Sequence, residues 1–335
     1  MRAAVLEEFG RPLVLRELPT PVPGPGEVLV RIAASGVNPL DVKIHAGQAD
    51  HARVRPPFVL GLDLAGVVEA VGSGVDGADF APGDEVYGLT GGVGALQGSL
   101  AQFAAVDARL LARKPASISL REAAALPLAV ITAWEGLVDR AAVRAGQRVL
   151  VHGGAGGVGG VAVQIAHARG AKVFATVSPA RAAVVEALGA TPIDRINSTV
   201  EAYVAEHTGG EGFDVVFDTI GGPVLDASFA AVRTYTGHVV SALGWGTHSL
   251  APLSFRAATY SGVFTLLPML TGNGRAHHGE ILRAVAELVD AGQLRPLIDP
   301  ARRYTLETVN EAHDLIQAGS ATGKLIVDIT GPEAG

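Results

Sequence analysis

The stretch "VLVHGGAGGVGGVAVQIAHARGAKVFATV", residues 149–177, places seven glycines between two apolar runs. Gly154, Gly156 and Gly159 have the spacing G-x-G-x-x-G, directly after a strand-like run and at the start of a helix-like one. In that context the spacing predicts a turn that binds a dinucleotide. Gly154 would permit the tight turn, Gly156 would let a pyrophosphate approach the backbone, and Gly159 would let the helix pack closely on the strand.

The helix after this turn would begin around Gly157 and Val158 and present free N–H groups and a positive dipole end to the phosphates. The alternative is a tight strand-to-helix turn that binds nothing. A second glycine-rich stretch, residues 88–99, is followed by a strand instead of a helix. We interpret it as a mobile loop, which either lines a site or only connects two strands.

The residues after the second strand indicate which dinucleotide binds. An NAD site usually has an acidic residue there, which binds the ribose 2′-hydroxyl. Here the strand is followed by "SPAR", residues 178–181, which contains no acid. Ser178 and Arg181 would accept a 2′-phosphate, and Arg195 after the next short strand would add a second positive charge. The pattern predicts NADPH; the alternative is that both arginines are only solvated surface residues.

The rest of the chain predicts an α/β protein with two domains. Residues 1 to about 120 contain short β-type runs separated by Pro and Gly, whereas strand and helix patterns alternate after Ser119, where Ser119 and Glu122 match a capping box. Such alternation indicates a doubly wound parallel sheet. We therefore predict a β-rich domain from residues 1–121 and 266–335, and a nucleotide-binding domain from residues 122–265.

Composition excludes several classes of protein. The net charge is −7 and no Lys/Arg cluster is present, which argues against a nucleic-acid surface. The first residues have no apolar signal-peptide core, and no apolar run reaches the roughly 18 residues of a membrane helix, so we expect a cytoplasmic protein without membrane segments. The chain has no cysteine, which excludes disulfides, thiolate zinc sites and cysteine nucleophiles.

Several motifs together resemble one family. They are "GVNPLDVKIHAG", "PFVLGLDLAGVVEAVG", "PGDEVYGL", "LPLAVITAWEGLV", "VHGGAGGVGGVAVQIA", "LGAT", "FDVVFDTIGG" and "GKLIVDI". With them, nearly the whole chain resembles the zinc-independent quinone oxidoreductases, related to zeta-crystallin, of the medium-chain dehydrogenase/reductase superfamily. The resemblance implies a GroES-like catalytic domain and an inserted Rossmann-type NADPH-binding domain.

The resemblance also implies that no metal takes part. Zinc alcohol dehydrogenases of the superfamily have a Cys at the position of Asn38 and Gly-His-Glu at the position of residues 61–63, which here are Gly-Leu-Asp. A catalytic zinc needs about three protein ligands and an open position, and the sequence does not supply them. We interpret His45 and His51 as surface or loop residues, and the pair His277-His278 as part of a solvated polar loop.

By resemblance, the reaction is hydride transfer from nicotinamide to an electron-poor acceptor, with Asn38 and Asp41 lining the nicotinamide and substrate cleft. The alternatives are a turn residue before Pro39 and a first-turn acid of a helix. Thr132 is similar to a residue that meets the nicotinamide, unless it is an ordinary helix residue. The resemblance further implies that backbone groups of Leu243, Gly244 and Phe264 bind the carboxamide of the nicotinamide. Lys324 would lie near the cofactor or else be a solvated lysine.

The sequence leaves three functions open. An NADPH-dependent quinone reductase is the leading hypothesis, and a 2-alkenal or enoyl double-bond reductase of the same fold is the first alternative. The third is a non-catalytic NADPH-binding sensor. The expected partner is a small-molecule substrate. The resemblance also implies a homodimer, with "YSGVFTLL", residues 260–267, as the candidate edge strand.

Overall fold

The computed structural model describes residues 1–329, and the chain divides into two compact units. The first unit contains Met1–Leu128 and the residues from Leu266 onward, and the second contains Ala129–Thr265. The last six residues of the predicted segment 266–335 therefore lie outside the described part of the chain. The first division follows Leu128, later than the expected residue 121, because a short helix at Leu120–Ala123 packs on strands of the first unit.

The amino-terminal part of the first unit is made of short strands, as its Pro- and Gly-punctuated sequence predicts. The strands are β1 (Arg2–Leu6), β2 (Val14–Glu17), β3 (Glu27–Val37), β4 (Phe58–Val59), β5 (Asp63–Val71), β6 (Glu85–Leu89), β7 (Phe103–Asp107) and β8 (Leu111–Arg113). Two helices accompany them, α1 (Pro39–His45) and α2 (Leu120–Ala123). The capping box at the start of α2 is confirmed, because Ser119 Oγ accepts from Glu122 N at 3.2 Å and Glu122 Oε2 accepts from Ser119 N at 2.8 Å.

The second unit alternates strands and helices. Helix α3 (Pro127–Trp134) spans the division and continues into a π-helical segment, Glu135–Arg140. The strands that follow are β9 (Arg148–His152), β10 (Lys172–Val177), β11 (Ala190–Asp194), β12 (Val215–Asp218), β13 (His238–Ser241) and β14 (Thr259–Gly262). The helices between them are α4 (Gly157–Ala168), α5 (Ala182–Glu186), α6 (Val200–Thr208), α7 (Pro223–Ala231) and α8 (Ala251–Ser254).

The chain then returns to the first unit. The elements of this return are α9 (Leu267–Thr271), α10 (Arg275–Asp290), β15 (Tyr304–Thr305), α11 (Val309–Gln317) and β16 (Leu325–Asp328). Within residues 1–329, no helix combines the length and the apolar character that crossing a membrane requires.

Two sheets form the first unit. The smaller has the order β2-β1-β4, and the larger has the order β15-β16-β3-β5-β6-β8, with β7 also paired to β3. Strand β16 pairs antiparallel with β3, so that Leu325 faces Val37, and β3 pairs antiparallel with β5, so that Gly36 faces Asp63. This register brings three distant parts of the chain to the same end of β3, around residues 37, 63 and 324.

The sheet of the second unit confirms the predicted doubly wound α/β fold. Its order is β11-β10-β9-β12-β13-β14, and all five neighbouring pairs are parallel. The central strand β9 is apolar and fully buried at Val149, Leu150 and Val151, as expected of a parallel strand covered on both faces. The opening stretch is therefore β9, a glycine turn, α4 and β10 in succession.

Two expectations differ from the structure. The strand expected in residues 260–267 ends at Gly262; as β14 it lies at the edge of the sheet, and pairing of two copies there stays a prediction. The solvated loop predicted for His277 and His278 is wrong, because both lie in α10 and His278 is fully buried. Next to His278, a Cβ on Gly279 would lie 2.7 Å from the Arg109 carbonyl oxygen, so this glycine permits close packing of the helix.

Candidate active site

The glycine turn after β9 is constrained by close backbone packing. A Cβ on Gly154 would lie 2.5 Å from Ala175 Cβ, and a Cβ on Gly159 would overlap the carbonyl oxygen of Gly153. The predicted reason for Gly159, close packing of helix on strand, is consistent with this contact. The tight turn, however, belongs to Gly153, which has φ +75°, and not to Gly154. Gly154 is instead required because its α-carbon lies against β10.

The amino terminus of α4 is open. Gly156 is the N-cap residue and has no side chain that could bind the first amides of the helix. A Cβ on Gly157 would meet nothing within 4 Å. The first amides of a helix have no partner within it and attract anions. The turn therefore has the free donors and the open space that a pyrophosphate requires.

This turn forms one wall of a cavity of about 590 Å³ in the second unit. The cavity brings together four of the residues predicted to bind NADPH: Gly156, Ser178, Arg181 and Arg195. Other lining residues come from β9, β10 and the starts of α6 and α7: His152, Gly153, Thr176, Val200, Tyr203 and Val224. The same cavity thus contains the open amides of the glycine turn and two guanidinium groups, which are the kinds of group that bind phosphates.

No carboxylate lines this cavity among the described residues. The nearest acid in sequence is Asp194 at the end of β11, next to Arg195. Its carboxylate accepts from Ile196 N at 2.8 Å and from Asn197 Nδ2 at 2.6 Å, and the Ile196 bond is the main reason that the pKa of Asp194 is lowered. The acid therefore stabilises its own turn.

A buried histidine, which sequence reasoning missed, ends β9 at the cavity. His152 Nδ1 lies 3.1 Å from Thr176 Oγ1, and the same hydroxyl accepts from Gly153 N at 3.2 Å. Burial lowers the pKa of His152 to about 4, although Asp218 opposes this shift, so the imidazole is neutral near pH 7. His152 thus helps to fix the glycine turn without adding a charge. Its position as the last strand residue before the glycines was the available signal.

The other predicted residues of the second unit are not among those that line this cavity. Leu243 N donates to Ser241 Oγ at 3.1 Å, and a Cβ on Gly244 would overlap the hydroxyl of Tyr260. The ring of Phe264 packs edge-on against that of Trp245, with 6.0 Å between centroids. Thr132 is buried in α3. The roles assigned to Thr132, Leu243, Gly244 and Phe264 stay predictions.

In the first unit, the predicted site residues Asn38 and Lys324 form a buried cluster with Asp63. Asp63 Oδ2 accepts from Asn38 Nδ2 at 2.9 Å and from Lys324 Nζ at 3.0 Å, and Lys324 Nζ also donates to Asn38 Oδ1. Asn38, Asp63 and Lys324 expose 1%, 0% and 9% of their surfaces. The solvated alternative for Lys324 is therefore wrong. Asp63 was not predicted, although it occupies the position of the zinc-site stretch in the related dehydrogenases.

The start of α1 adds a second carboxyl group to this cluster. Asn38 is the N-cap residue, and its backbone N donates to Asp41 Oδ2 at 2.8 Å, so Asp41 does act as a first-turn acid. Burial raises the pKa of Asp41 to about 7, and the negative charge of Asp63 adds to this effect while Lys324 opposes it. Asp41 Oδ1 is buried and has no hydrogen-bond partner among the described residues.

These contacts define the charge state of the cluster. One ammonium, on Lys324, faces two carboxyl groups, and its direct contact is with Asp63. Asp63 Oδ1 also accepts from Leu128 N at 2.8 Å. Because Asp41 lacks a cation of its own, it retains a proton up to about pH 7. Since Oδ2 already accepts a hydrogen bond, that proton belongs on Oδ1.

Within residues 1–329, no group of three or more His, Asp or Glu side chains is placed to hold a metal ion. His45 is not a plain surface residue, because its Nδ1 lies 3.0 Å from Nδ1 of His313 on α11. At the zinc-site position the ammonium of Lys324 supplies the positive charge beside Asp63.

Comparison with known families covers both units. Residues 24–116 match the alcohol dehydrogenase GroES-like domain, and residues 188–327 match the zinc-binding dehydrogenase family. The crystal structure of an alcohol dehydrogenase superfamily protein from Novosphingobium aromaticivorans is 58% identical, with a TM-score of 0.96 over 98% of this chain and 100% of that one.

Curated relatives are more distant. The chain is 34% identical to the chloroplastic NADPH-dependent alkenal/one oxidoreductase of Arabidopsis thaliana, over 98% of this chain and 79% of the relative. It is 31% identical to the quinone oxidoreductase of Homo sapiens, over 98% of this chain and 97% of the relative. It is also 36% identical to the polyketide synthase protein NorB of Streptomyces orinoci, of which it spans only 13%.

The glycine turn can be tested by two alanine substitutions. In Gly159→Ala the added methyl group would overlap the carbonyl oxygen of Gly153, which is a steric clash. The substitution should therefore lower the free energy of unfolding by about 1 to 3 kcal/mol. The matched control, Gly157→Ala, meets nothing within 4 Å and should leave stability unchanged or slightly higher. Urea unfolding followed by circular dichroism measures both. Equal losses in the two variants would contradict the assigned packing.

The protonation of Asp41 predicts a pH dependence of stability. Folding raises the pKa of Asp41 from about 4 in the unfolded chain to about 7. The protonated carboxyl group therefore contributes its full share to the free energy of unfolding below pH 4, and this share is lost as the pH rises through 7. Asp41→Asn stays neutral and keeps an oxygen for Asn38 N. Between pH 4 and 8 the wild type should lose about 2 to 4 kcal/mol of unfolding free energy relative to this variant.

Urea unfolding at several pH values measures that difference. The control for loss of a negative charge is Asp79→Asn, which removes an exposed carboxylate. Parallel pH profiles for the wild type and Asp41→Asn would show that folding does not raise the pKa of Asp41, and would contradict the prediction.

Proposed function

The chain belongs to the medium-chain dehydrogenase/reductase superfamily, and we propose that it is an NADPH-dependent, metal-independent reductase. Members of this family depend on NAD(P). When bound, the reduced nicotinamide supplies a hydride, and we propose that a quinone-type molecule accepts it. The single observation that carries the proposal is the cavity that joins the open glycine turn to Arg181 and Arg195.

The cavity supports NADPH over NADH through its charge. Ser178, Arg181 and Arg195 lie together at the ends of β10 and β11, where an NAD site would have a carboxylate. A 2′-phosphate there would receive charge-assisted hydrogen bonds from the guanidinium groups. The carboxylate of Asp194 is bound to its own turn and does not oppose this charge from within the cavity.

The cluster of the first unit supports a role in positioning and proton supply. Both polar atoms of the Asn38 side chain are engaged, Nδ2 by Asp63 and Oδ1 by Lys324, so its amide plane has one orientation. Asp41 carries a proton on an oxygen without a partner, at a pKa of about 7. Reduction of a quinone or an enone by hydride leaves an anion that needs one proton, and we assign its supply to Asp41.

A metal ion has no evident place in this proposal. The positions of the zinc ligands are held by Asn38, Leu62 and Asp63, and the carboxylate of Asp63 is already paired with Lys324. A quinone accepts hydride without a Lewis acid, so positioning and hydrogen bonding suffice.

A second candidate function is the reduction of 2-alkenals or enones. The supporting observation is that the chain is 34% identical to the Arabidopsis alkenal/one oxidoreductase and 31% identical to the human quinone oxidoreductase. Both acceptor classes are carbonyl-conjugated, and both need the same hydride and proton. The acceptor assay below separates them.

The cofactor assignment predicts a selective loss in a double variant. Arg181→Ala with Arg195→Ala should raise the KM for NADPH about 10- to 100-fold, because two charge-assisted contacts to the 2′-phosphate are lost. The KM for NADH should stay unchanged, since NADH has no such phosphate. Arg140→Gln, on an exposed residue outside the cavity, is the control for lost charge. Equal effects on the two cofactors would refute the role of these arginines.

The reaction itself is tested by following nicotinamide absorbance with quinones and 2-alkenals as acceptors, with and without a chelator. Oxidation of NADPH by quinones that resists the chelator is the expected result. Faster turnover of 2-alkenals would establish the second candidate. Loss of activity with chelator would refute metal independence, and NADPH binding without turnover of any acceptor would point to a sensor.

A further inference from the structure

A second cavity, of about 720 Å³, lies wholly in the first unit. Its walls include the apolar side chains of Ile44 and Phe58, and the charged side chains of Arg53 and Arg55. We propose that this cavity binds a molecule with an apolar body and one anionic oxygen group, a carboxylate or a phosphate, which Arg53 and Arg55 hold. The site is separate from the glycine-turn cavity and does not depend on the reaction proposed above.

The size and walls of the cavity suit a small amphipathic molecule. Cavities that bind small ligands typically measure about 300 to 1,000 Å³ and are mostly apolar, with a few polar groups that fix orientation. Here Phe9, Ile44 and Phe58 supply apolar surface, and Phe9 exposes 42% of its own area. An apolar chain or ring in the cavity would cover these groups and remove them from water.

The two arginines at this cavity are exposed and have no partner in the described part of the chain. Among residues 1–329, neither Arg53 nor Arg55 has a side-chain hydrogen bond or ion pair. Several other arginines of the same unit are paired within these residues, as Arg16 is with Glu7 and Arg113 with Asp84, whereas Arg283 on α10 is not. The chain carries a net charge of −7, so acidic groups are in surplus. What the cavity adds is that two exposed, unpaired guanidinium groups lie next to apolar walls, where an external anion can reach both of them.

The local charge at the cavity is positive. Among the described residues that line it, Asp50 is the only acidic one, so two guanidinium groups stand against one carboxylate. Guanidinium groups bind carboxylate and phosphate oxygens through paired, charge-assisted hydrogen bonds. A neutral apolar ligand would leave Arg53 and Arg55 without partners, and a ligand that was polar throughout would leave the aromatic wall uncovered. An apolar molecule with one anionic end satisfies both.

The backbone around Arg53 is held in an uncommon conformation. Arg53 has φ +55° and ψ 31°, in the left-handed region, where a non-glycine residue costs about 1 to 3 kcal/mol. Its N–H donates to Asp50 O at 3.0 Å, which closes the short turn Asp50–Ala52. Such strain persists where the surrounding structure enforces it, and it is common at ligand sites. The turn thus fixes the backbone position of Arg53 beside the cavity.

The glycine-rich stretch of residues 88–99 forms part of the same cavity. Gly94 and Ala95 line it, and Gly94 N donates to Ala52 O at 2.8 Å. Gly92 N also donates to Leu96 O at 2.9 Å, which closes the turn at the tip of the stretch. These bonds tie the stretch to the turn that carries Arg53. The stretch therefore lines this cavity, and whether it lines a binding site depends on the proposal made here.

Binding to the full-length protein tests the proposal without any turnover. Calorimetric titration would use decanoate and decyl phosphate as anionic probes and decanol as the uncharged probe. The variant Arg53→Asn with Arg55→Gln removes both charges, and asparagine tolerates the left-handed backbone. It should weaken the binding of the anionic probes about tenfold or more, through loss of the charge-assisted contacts, and leave decanol unchanged. Arg140→Gln is the matched control on an exposed arginine elsewhere.

A second variant separates the apolar contribution from the charge. Phe9→Ala should weaken all three probes to a similar degree, because each uses the apolar wall. Binding of decanoate alone would identify a carboxylate ligand, and binding of decyl phosphate alone a phosphate ligand. The proposal is overturned if the anionic probes bind no better than decanol, or if the arginine double variant binds them as tightly as the wild type does. Neither result would affect the NADPH assay above.

Discussion

The ion pair between Asp63 and Lys324 determines how the first unit closes. It joins the start of β5 to the residue before β16, two positions 261 residues apart in sequence. Burial of both charges is costly, and the contact is stable only because further hydrogen bonds from Asn38 and Leu128 satisfy the carboxylate. The same contact fixes the amide of Asn38. The return of the chain after the second unit therefore completes the polar cluster as well as the sheet.

The cluster also shows how one buried cation sets the state of two carboxyl groups. Lys324 contacts Asp63 directly and acts on Asp41 only at a longer distance. Its positive charge therefore offsets the cost of burying a negative charge less at Asp41 than at Asp63. Burial of a carboxyl group without its own cation favours the protonated, neutral form over the ionised form. The ionised pair and the neutral acid are thus consequences of the same geometry. An equivalent metal site would instead require both carboxyl groups to be ionised.

Sequence patterns were informative where near neighbours decide the structure. The strand, glycine turn and helix of residues 149–168 and the capping box at Ser119 depend on residues within a few positions of each other. The contact of Asp63 with Lys324 joins residues 261 positions apart, and the packing of α10 around His278 involves the distant residue Arg109, which no local pattern reveals. The misassignment of the left-handed glycine has another cause: Gly153 and Gly154 are adjacent, and only the packing against Ala175 separates their roles.

Helix α1 links the polar cluster to the arginine-lined cavity. Asn38 and Asp41 lie at its start, and Ile44 near its end lines the cavity. A helix of seven residues is too short to be stable by itself, so its position depends on tertiary contacts at both ends. At the start these are the hydrogen bonds of Asn38; at the end they include the contact of His45 with His313. Asn38, Asp41 and Ile44 therefore lie on one helix whose position is set by tertiary contacts at both of its ends, so the polar cluster and one wall of the cavity depend on the same contacts.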